Sequence, residues 1–166
     1  TFLCLLALFI FADKILSFSE EKLYGENIIY SRSSPYQRIV LTRNSNDFRL
    51  YLNNNLQFSS ADEYRYHEAL VHPAMSMAKN IKRILILGGG DGFAVREVLK
   101  YPEVEHITLV DLDGEMTKFF QQNETMNKLN HNSLNNKKLE IVNQDAFMWI
   151  KDLDKTFDRL FEELVK

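Results

Sequence analysis

The first half of the chain contains short segments in which apolar and polar residues alternate. Four of them are separated by Ser-Pro, Asn-Ser-Asn-Asp and Asn-Asn-Asn sequences, at residues 27–30, 37–42, 48–52 and 56–59. A period of two is typical of strands with one buried face, and the separating residues favour turns. This part of the sequence predicts a small antiparallel sheet. A helix is expected to follow over residues 62–72, to be interrupted by Pro73 and to resume as a short helix up to Lys79.

After Lys82 the pattern changes to apolar strands that alternate with amphipathic helices. The strands are expected at residues 83–87, 106–110 and 138–142, and the helices at 93–100, 114–125 and 146–151. Apolar strands separated by helices are typical of a parallel sheet that is covered on both faces. Residues 127–136 contain five Asn and one Ser, which favours a loop. The fold class is therefore α/β: a small N-terminal antiparallel β region followed by a Rossmann-like parallel sheet.

The sequence predicts that this parallel sheet is incomplete at its C-terminal side. Residues Phe157 and Asp158 resemble the start of a fourth strand, but the apolar pairs that follow, at 160/161 and 164/165, are four residues apart. Because that spacing is helical, residues 159–166 are expected to form a helix.

Residues 1–12 are uncharged and almost entirely apolar. A membrane span needs about 20 such residues, so we expect this run to be the end of a transmembrane helix; a buried helix or strand is the alternative. The expected organisation has three parts: the end of a hydrophobic segment at 1–16, a β-hairpin region at 24–60 and the α/β domain at 61–166. This interpretation predicts a membrane-associated protein.

Composition excludes some classes of function. The formal net charge of −3 and the pI near 5.8 argue against a nucleic-acid binder, which needs a basic surface. The single cysteine, Cys4, cannot form a disulfide within the chain or a cysteine-based zinc site. We expect no metal and no tightly bound cofactor. A homo-oligomer stays open.

Residues 88–92, Gly-Gly-Gly-Asp-Gly, stand directly between the first parallel strand and a helix. Glycines at the carboxyl end of this strand, Gly88 and Gly90 among them, let the backbone approach a ligand closely, as a nucleoside site requires. A dinucleotide site would need glycine at 93, where this chain has Phe93, so NAD and FAD are disfavoured. Asp91 either caps the helix or meets a cationic amine or sulfonium group.

Two more acidic residues follow the next two strands. Asp111 lies just over 20 residues after the glycines, where a carboxylate commonly binds ribose hydroxyls. Asp113 immediately precedes a helix, so it is the better candidate for a helix cap. Asp145 follows the third strand, where a carboxylate can accept a hydrogen bond from an adenine amino group. In the helix before the sheet, Glu63 and His67 share one face next to Tyr66; the group is either a solvated surface or a lid over a cationic substrate.

These residues together resemble spermidine synthase and related polyamine aminopropyltransferases. The resemblance rests on Tyr36-Gln37, on residues 52–57 (Leu-Asn-Asn-Asn-Leu-Gln), on residues 62–73 (Asp-Glu-Tyr-Arg-Tyr-His-Glu-Ala-Leu-Val-His-Pro) and on the glycine loop. The sequence at residues 58–60 and 93–97, with the apolar N-terminus, is most similar to the bacterial branch that has an N-terminal membrane domain, which implies a membrane-associated protein with its catalytic domain in the cytoplasm. The resemblance extends over nearly all of residues 36–158 and implies that residues 61–166 form a nucleoside-binding, Rossmann-like domain of the class I methyltransferase type.

The resemblance implies a reaction and a set of site residues. An amine such as putrescine attacks the aminopropyl carbon of decarboxylated S-adenosylmethionine, the co-substrate, and methylthioadenosine is released. The implied nucleoside contacts are Gln37, Asp111, Asp145 and Ala146, and the implied aminopropyl and polyamine contacts are Gln57, His67 and Asp91. Tyr66 is similar to the tyrosine that assists catalysis in the family.

Two positions depart from the family pattern. The ribose-binding residue is usually Glu in soluble members and here is the shorter Asp111. The family places its proton-accepting Asp in an Asp-x-x-Asp-Pro motif after the fourth strand, and no such motif precedes Lys166. Because residues 159–166 read as a helix, neither Glu162 nor Glu163 is expected to replace that base, and the main proton acceptor is expected beyond the chain end.

Two other functions stay open from the sequence. An S-adenosylmethionine-dependent methyltransferase would share the fold, although Asp91 would repel the methionine carboxylate of its ligand. A truncated, non-catalytic chain that only binds a nucleoside is the other alternative. The identity of the acceptor amine cannot be derived from these residues.

Overall fold

The structure, a computed structural model, describes Phe11, residues 22–77 and 81–151, Phe157 and the backbone of Arg159–Glu163. The chain divides into two compact units. The first comprises Thr1–Ser33 and Gln37–Ser59, and the second comprises Ser34–Tyr36 and Ser60–Lys166. The predicted hydrophobic segment at 1–16 lies outside the described residues apart from Phe11.

The first unit contains a four-stranded antiparallel sheet, as the alternating pattern predicts. Its strands are β1 (Asn27–Ser33), β2 (Arg38–Asn44), β3 (Asp47–Leu52) and β4 (Asn55–Ser59), and they pair in that order. Asn53 and Asn54 join β3 to β4 with φ of 49° and 67°. Two consecutive left-handed residues form the tight turn that suits the twist of a hairpin, and asparagine tolerates this conformation better than most residues.

The second unit begins with helix α1 (Glu63–Ser76), which runs through Pro73. The sequence predicted an interruption there, and that prediction is wrong. Proline cannot donate a backbone hydrogen bond, but the helix loses only that one bond, and the ring of Pro73 is on the exposed side of the helix. The buried side chains of α1 are His67, Val71 and Met75, one helical turn apart.

A parallel sheet follows, with strands β5 (Arg83–Gly88), β6 (His106–Asp111), β7 (Leu139–Asn143) and β8 (Arg159–Glu163) in the order β7-β6-β5-β8. The helices between them are α2 (Phe93–Val98), α3 (Gly114–Gln122), α4 (Glu124–Leu129) and α5 (Ala146–Lys151). Fully buried Ile84, Ile86, Ile107 and Leu109 lie in the two central strands, with Phe93 and Phe120 from the helices. The α/β fold with its antiparallel and parallel sheets is therefore confirmed.

The helix predicted for residues 159–166 is wrong for Arg159–Glu163, which form strand β8. It pairs in parallel with β5, with Glu162 opposite Leu87 and Glu163 opposite Gly88. Periodicity within eight residues cannot distinguish a helix from a strand, whereas the open edge of β5 offers a row of backbone hydrogen-bonding groups. Glu162 and Glu163 were excluded as proton acceptors because a helix was predicted there. That reason is wrong, since both residues lie at the end of a strand.

The asparagine-rich stretch also has more structure than expected. The predicted helix at 114–125 ends at Gln122, and Asn123 then starts α4 by accepting hydrogen bonds from the backbone N–H groups of Thr125 and Met126. A 3-10 turn at Ser133–Asn135 follows. No helix in the described part of the chain has the length and apolar content that a membrane crossing requires.

Candidate functional site

The glycine loop leaves the end of β5 in a conformation that requires glycine. Gly88, Gly89 and Gly92 have φ of 83°, 74° and 81°, in the left-handed region. Gly90 is constrained differently, because a Cβ added there would lie 2.9 Å from both Cγ and Oδ2 of Asp111 and 3.1 Å from Cγ2 of Thr117. The missing side chain at position 90 is what lets the loop backbone lie against a carboxylate.

The Asp111 carboxylate is held by two backbone donors. The N–H of Gly90 donates to Oδ2 at 2.9 Å, and the N–H of Asp113 donates to Oδ1 at 2.8 Å. Asp111 is only partly buried. A carboxylate in this position can accept hydrogen bonds from hydroxyl groups, as the vicinal hydroxyls of a ribose would require, and its contact with a ribose stays a prediction.

Asp91 lies inside the loop with 7% of its surface exposed. Its Oδ1 accepts the backbone N–H of Phe93, the first residue of α2, at 2.9 Å, although the N-cap position itself is Gly92. Contact of Asp91 with a cationic ligand stays a prediction. Asn130 donates its side-chain amide to the carbonyl of Asp91 at 2.9 Å, and Ser133 donates its hydroxyl to the carbonyl of Gly92 at 2.7 Å. These two bonds hold the loop through the carbonyl groups of Asp91 and Gly92.

The ends of the next two strands lie beside each other at the same sheet edge, since Asp111 of β6 is paired with Asn143 of β7. The Asn143 amide donates to the Asp111 carbonyl at 3.2 Å and to Thr117 Oγ1 at 3.1 Å. Asp113 accepts the backbone N–H of Glu115 at 3.1 Å and caps α3, as its position in the sequence predicts. The sequence did not identify Asn143 as a part of this site.

Asp145 and Ala146 follow β7 at this edge. Asp145 is exposed, and its Oδ1 accepts the backbone N–H of Met148 at 2.9 Å, which caps α5. Ala146 is partly buried against the apolar cluster of Leu85, Leu87 and Val110. The cap does not exhaust the lone pairs of the carboxylate, and a contact with adenine stays a prediction.

A buried chain of ionic side chains connects α1 with α2. The Arg96 guanidinium donates to both oxygens of Glu63, at 2.8 and 3.0 Å, and its Nε donates to Glu97 at 2.9 Å. Glu63 Oε2 also lies 2.7 Å from His67 Nδ1. The sequence identified Glu63 and His67 as neighbours but missed Arg96. A charged Arg-Glu pair within the otherwise apolar helix Phe-Ala-Val-Arg-Glu-Val was the available signal.

The pKa values of both glutamates in this chain lie below the usual range for glutamate. Burial alone would raise the pKa of Glu63, but hydrogen bonds from His67 and Arg96 outweigh it. Burial likewise would raise the pKa of Glu97, and hydrogen bonds from Lys100 and Arg96 outweigh it. Both carboxyl groups are therefore ionised at neutral pH, and Arg96 is charged as well because its pKa is raised by Glu63 and Glu97 against the effect of burial.

These lowered pKa values predict a loss of stability in acid. The unfolded chain takes up protons at a higher pH than the folded chain, so the contribution of Glu63 is complete above its ordinary pKa of 4.5 and is lost as pH falls through the folded pKa. We expect the stability difference between wild type and Glu63→Gln to be largest above about pH 5 and to shrink towards about pH 3. Urea unfolding midpoints across this range measure it. The exposed Glu103→Gln is the control, and a constant Glu63→Gln difference would contradict the prediction.

Glu68, His72 and Glu97 offer three atoms within 4.8 Å of one another, a spacing that a metal ion could use. Lys100 already supplies a cation here, since its ammonium group contacts Glu97 and lies 3.7 Å from Glu68. His72 Nε2 lies 3.1 Å from Glu97, and its Nδ1 lies 2.9 Å from the hydroxyl of Tyr101. Among the residues that the structure describes, this group is therefore part of an ion network.

The predicted site residues belong to both units. Gly88, Gly90, Asp91, Asp111, Asp145 and Ala146 follow the strands of the parallel sheet, and Tyr66 and His67 lie on α1 of the same unit. Tyr66 is 38% exposed and its ring stands edge-on to His67 at 5.1 Å. Gln37 and Gln57 belong to the first unit, where the Gln57 amide donates to the Asn55 carbonyl at 3.2 Å. Their contacts with a ligand stay predictions.

The sequence of this chain is similar to those of known proteins of one family. Residues 63–165 match the model of the spermine/spermidine synthase domain. A polyamine aminopropyltransferase of Leptospira interrogans is 52% identical over 150 residues, which cover 90% of this chain and 30% of that protein. Polyamine aminopropyltransferase 2 of Ralstonia nicotianae is 51% identical over 154 residues, which cover 93% and 30%.

Solved structures show the same fold. Spermidine synthase from Thermotoga maritima superposes with a TM-score of 0.77 at 30% identity, over 82% of this chain and 46% of that one. A spermidine synthase in complex with the transition-state analogue AdoDATO superposes with a TM-score of 0.79 at 29% identity, over 84% and 47%. The chain spans about 30% of the length of the curated relatives named above.

Proposed function

The chain belongs to the spermine/spermidine synthase family, and from this membership we propose that it is the nucleoside-binding part of a polyamine aminopropyltransferase. The donor is decarboxylated S-adenosylmethionine, and the acceptor is putrescine or a similar amine. The products are the extended polyamine and methylthioadenosine.

The observation that supports this proposal most directly is the Asp111 carboxylate, fixed against the glycine loop by Gly90 and Asp113. A carboxylate with a fixed orientation suits the two hydroxyls of a ribose. The three strand-end loops, at residues 88–92, 111–114 and 143–146, contain three further acidic groups and no lysine or arginine. Such an edge favours a cationic sulfonium and an ammonium group over a ligand that carries a carboxylate.

In the proposed reaction the lone pair of an amine nitrogen forms a bond to the aminopropyl carbon next to sulfur. The carbon–sulfur bond breaks, and its electron pair neutralises the sulfonium to the thioether of methylthioadenosine. The amine must give up a proton, because an ammonium nitrogen has no lone pair. We assign Tyr66 to assist this step, and Gln57, His67 and Asp91 to hold the aminopropyl and amine groups. Alignment of the two reactants supplies much of the acceleration.

We assign the nucleoside to the sheet edge in the same way. Asp111 would accept the ribose hydroxyls together with Gln37, and Gly88 and Gly90 would let the nucleoside approach the backbone. Asp145 and Ala146 would contact the adenine. The apolar residues 1–12 support a further proposal, that the protein is membrane-associated with its synthase domain in the cytoplasm. Membrane fractionation of cells that express the protein tests that location.

An assay of aminopropyl transfer tests the proposed activity. We expect the protein to form methylthioadenosine from decarboxylated S-adenosylmethionine in the presence of putrescine, and to form none from S-adenosylmethionine, whose carboxylate meets the acidic edge. Chromatography of the adenosyl products measures both reactions. Binding of methylthioadenosine without turnover would reduce the proposal to nucleoside binding. Absence of binding at millimolar methylthioadenosine would remove the nucleoside site as well.

A further inference from the structure

Glu63 and Arg96 have no role in the reaction described above, yet Glu63 contacts His67, which is assigned to it, and Arg96 binds Glu63. We propose that Glu63, held in place by Arg96, is a positioning residue. It fixes the proton of His67 on Nδ1, and it keeps His67 and the adjacent Tyr66 in a set place relative to the glycine loop. This inference rests on the proposed function, which assigns Tyr66 and His67 to the amine end of the site.

The surroundings of His67 determine which ring nitrogen carries the proton. Nδ1 lies 2.7 Å from Glu63 Oε2 and 2.8 Å from the backbone carbonyl oxygen of Glu63. An ionised carboxylate and a carbonyl oxygen can only accept hydrogen bonds, so Nδ1 must donate. In the neutral ring the lone pair then belongs to Nε2, which is therefore the nitrogen able to accept a proton or a hydrogen bond.

Arg96 fixes the position of the Glu63 carboxylate, which in turn accepts a hydrogen bond from His67. Its two terminal nitrogens bind the two oxygens of Glu63, and Nη1 also donates to the Leu129 carbonyl at 3.0 Å. A bidentate pair fixes both the position and the rotation of a carboxylate, which a single contact does not. Since both side chains are more than nine-tenths buried, water does not compete for these bonds. Glu63 therefore presents Oε2 to His67 in one orientation.

Phe93 connects this chain with the glycine loop. The Arg96 guanidinium lies 4.9 Å from the centre of the Phe93 ring, and the His67 ring lies 5.1 Å from the same ring. The backbone N–H of Phe93 is the donor to Asp91 Oδ1. A shift of His67 or Arg96 would therefore displace Phe93 and with it Asp91. Through these contacts the carboxylate of Glu63 sets the separation between the predicted amine-binding residues of α1 and the loop.

Stability alone does not account for this arrangement. Buried ion pairs usually give little net stability compared with apolar side chains of the same volume, because the desolvation of both charges offsets their attraction. A positioning role predicts something different: loss of the contact between Glu63 and His67 should lower kcat/KM for the amine more than it weakens methylthioadenosine binding at the sheet edge. The two roles can therefore be separated by experiment.

The test uses the full chain, labelled with nitrogen-15 at its four histidines, in wild type, Glu63→Gln and Arg96→Lys. In wild type we expect His67 to carry its proton on Nδ1, with a downfield proton resonance that exchanges slowly with water. Glu63→Gln removes the negative charge of the acceptor. Arg96→Lys removes the bidentate pair of hydrogen bonds to Glu63 but keeps the positive charge. In both variants we expect that resonance to move upfield or disappear.

Kinetics and binding complete the test. We expect kcat/KM for the amine to fall on the order of 10- to 100-fold in Glu63→Gln, as for small misplacements of reacting groups, while the Kd of methylthioadenosine is unchanged. Glu68→Gln on the same helix is the matched control and should alter neither quantity. Should Glu63→Gln fail to fold, Arg96→Lys is expected to show the same separation.

Two results would overturn the inference: a wild-type His67 protonated on Nε2, or equal losses of amine kcat/KM and of methylthioadenosine affinity. Failure of the proposed function looks different. In that case the wild-type chain transfers no aminopropyl group. The resonance of the His67 ring proton, and its change in Glu63→Gln and Arg96→Lys, still decide whether Glu63 positions His67.

Discussion

Replacing Gly90 by alanine is expected to weaken methylthioadenosine binding about 10- to 100-fold, the effect of losing one hydrogen bond to a charged group at the site. The new Cβ would lie 2.9 Å from Cγ and Oδ2 of Asp111, closer than real Cβ contacts come. This clash forces the Asp111 carboxylate to move, and its Oδ2 then loses the hydrogen bond from the Gly90 N–H. The carboxylate therefore loses the orientation that a ribose needs. Calorimetric titration with methylthioadenosine measures the loss.

Gly114→Ala provides the matched control for this substitution. Its Cβ would approach the Asn143 side-chain amide at 3.3 Å, a contact that a shift of a few tenths of an ångström relieves. Gly114 begins α3, where alanine favours the helix more than glycine does. We expect nearly normal binding in Gly114→Ala. If Gly90→Ala bound methylthioadenosine as tightly as wild type, Asp111 would not be the ribose ligand.

The strands and the glycine loop could be predicted from the sequence because their signals are local. Leu85, Leu87 and Val110 belong to uninterrupted apolar runs, which identify strands that are buried on both faces. Strand β8 shows the limit of this reasoning. Arg159–Glu163 is too short for its own periodicity to decide, and its pairing with β5 depends on a segment more than 70 residues earlier in the chain.

Two helix boundaries were mispredicted for a related reason. Pro73 and Asn123 have a similar local preference, since each tends to end a helix. Asn123 does separate α3 from α4, whereas α1 continues through Pro73 with Val71 and Met75 buried on one face. The packing of that face outweighs the loss of one backbone hydrogen bond. Local preference alone could not show which of the two residues would prevail.

Part of the candidate site was visible in the sequence and part was not. Asp111 and Asp145 could be found because each directly follows a strand, and parallel strands end at one edge. Asn130 and Ser133, which hold the carbonyls of the glycine loop, lie 39 and 41 residues after their partners. They stand in an asparagine-rich stretch whose composition indicates only a loop. Their role depends on the tertiary fold, which the spacing of residues does not encode.

The polar face of α1 shows the same limit. The sequence placed Glu63 and His67 on one face and allowed either a solvated surface or a substrate lid. In the structure His67 is 2% exposed and both residues belong to the buried network of Arg96. The partner is 33 residues further along the chain. A high density of charged residues on a helix therefore does not establish exposure when an opposite charge can be buried against it.

Asp91→Asn is expected to reduce kcat/KM for aminopropyl transfer about 100-fold, as for the removal of one electrostatic contact in an active site. The amide oxygen of asparagine can still accept the Phe93 N–H, so the loop should keep its conformation. The substitution removes the negative charge, which we assign to the cationic end of the reactants. Methylthioadenosine is neutral, and its Kd should therefore stay close to the wild-type value.

This separation between turnover and affinity is what distinguishes the two interpretations of Asp91. If Asp91 only accepts the Phe93 N–H, asparagine serves equally well and both quantities stay unchanged, since its amide oxygen accepts the same hydrogen bond. If the charge acts on the cationic ligand, turnover falls while the binding of the neutral product does not. The exposed Glu103→Gln removes one negative charge remote from the assigned residues and controls for a general electrostatic effect. Equal losses of turnover and of methylthioadenosine affinity would refute a specific role for the Asp91 charge, because they would mean that the loop itself had moved.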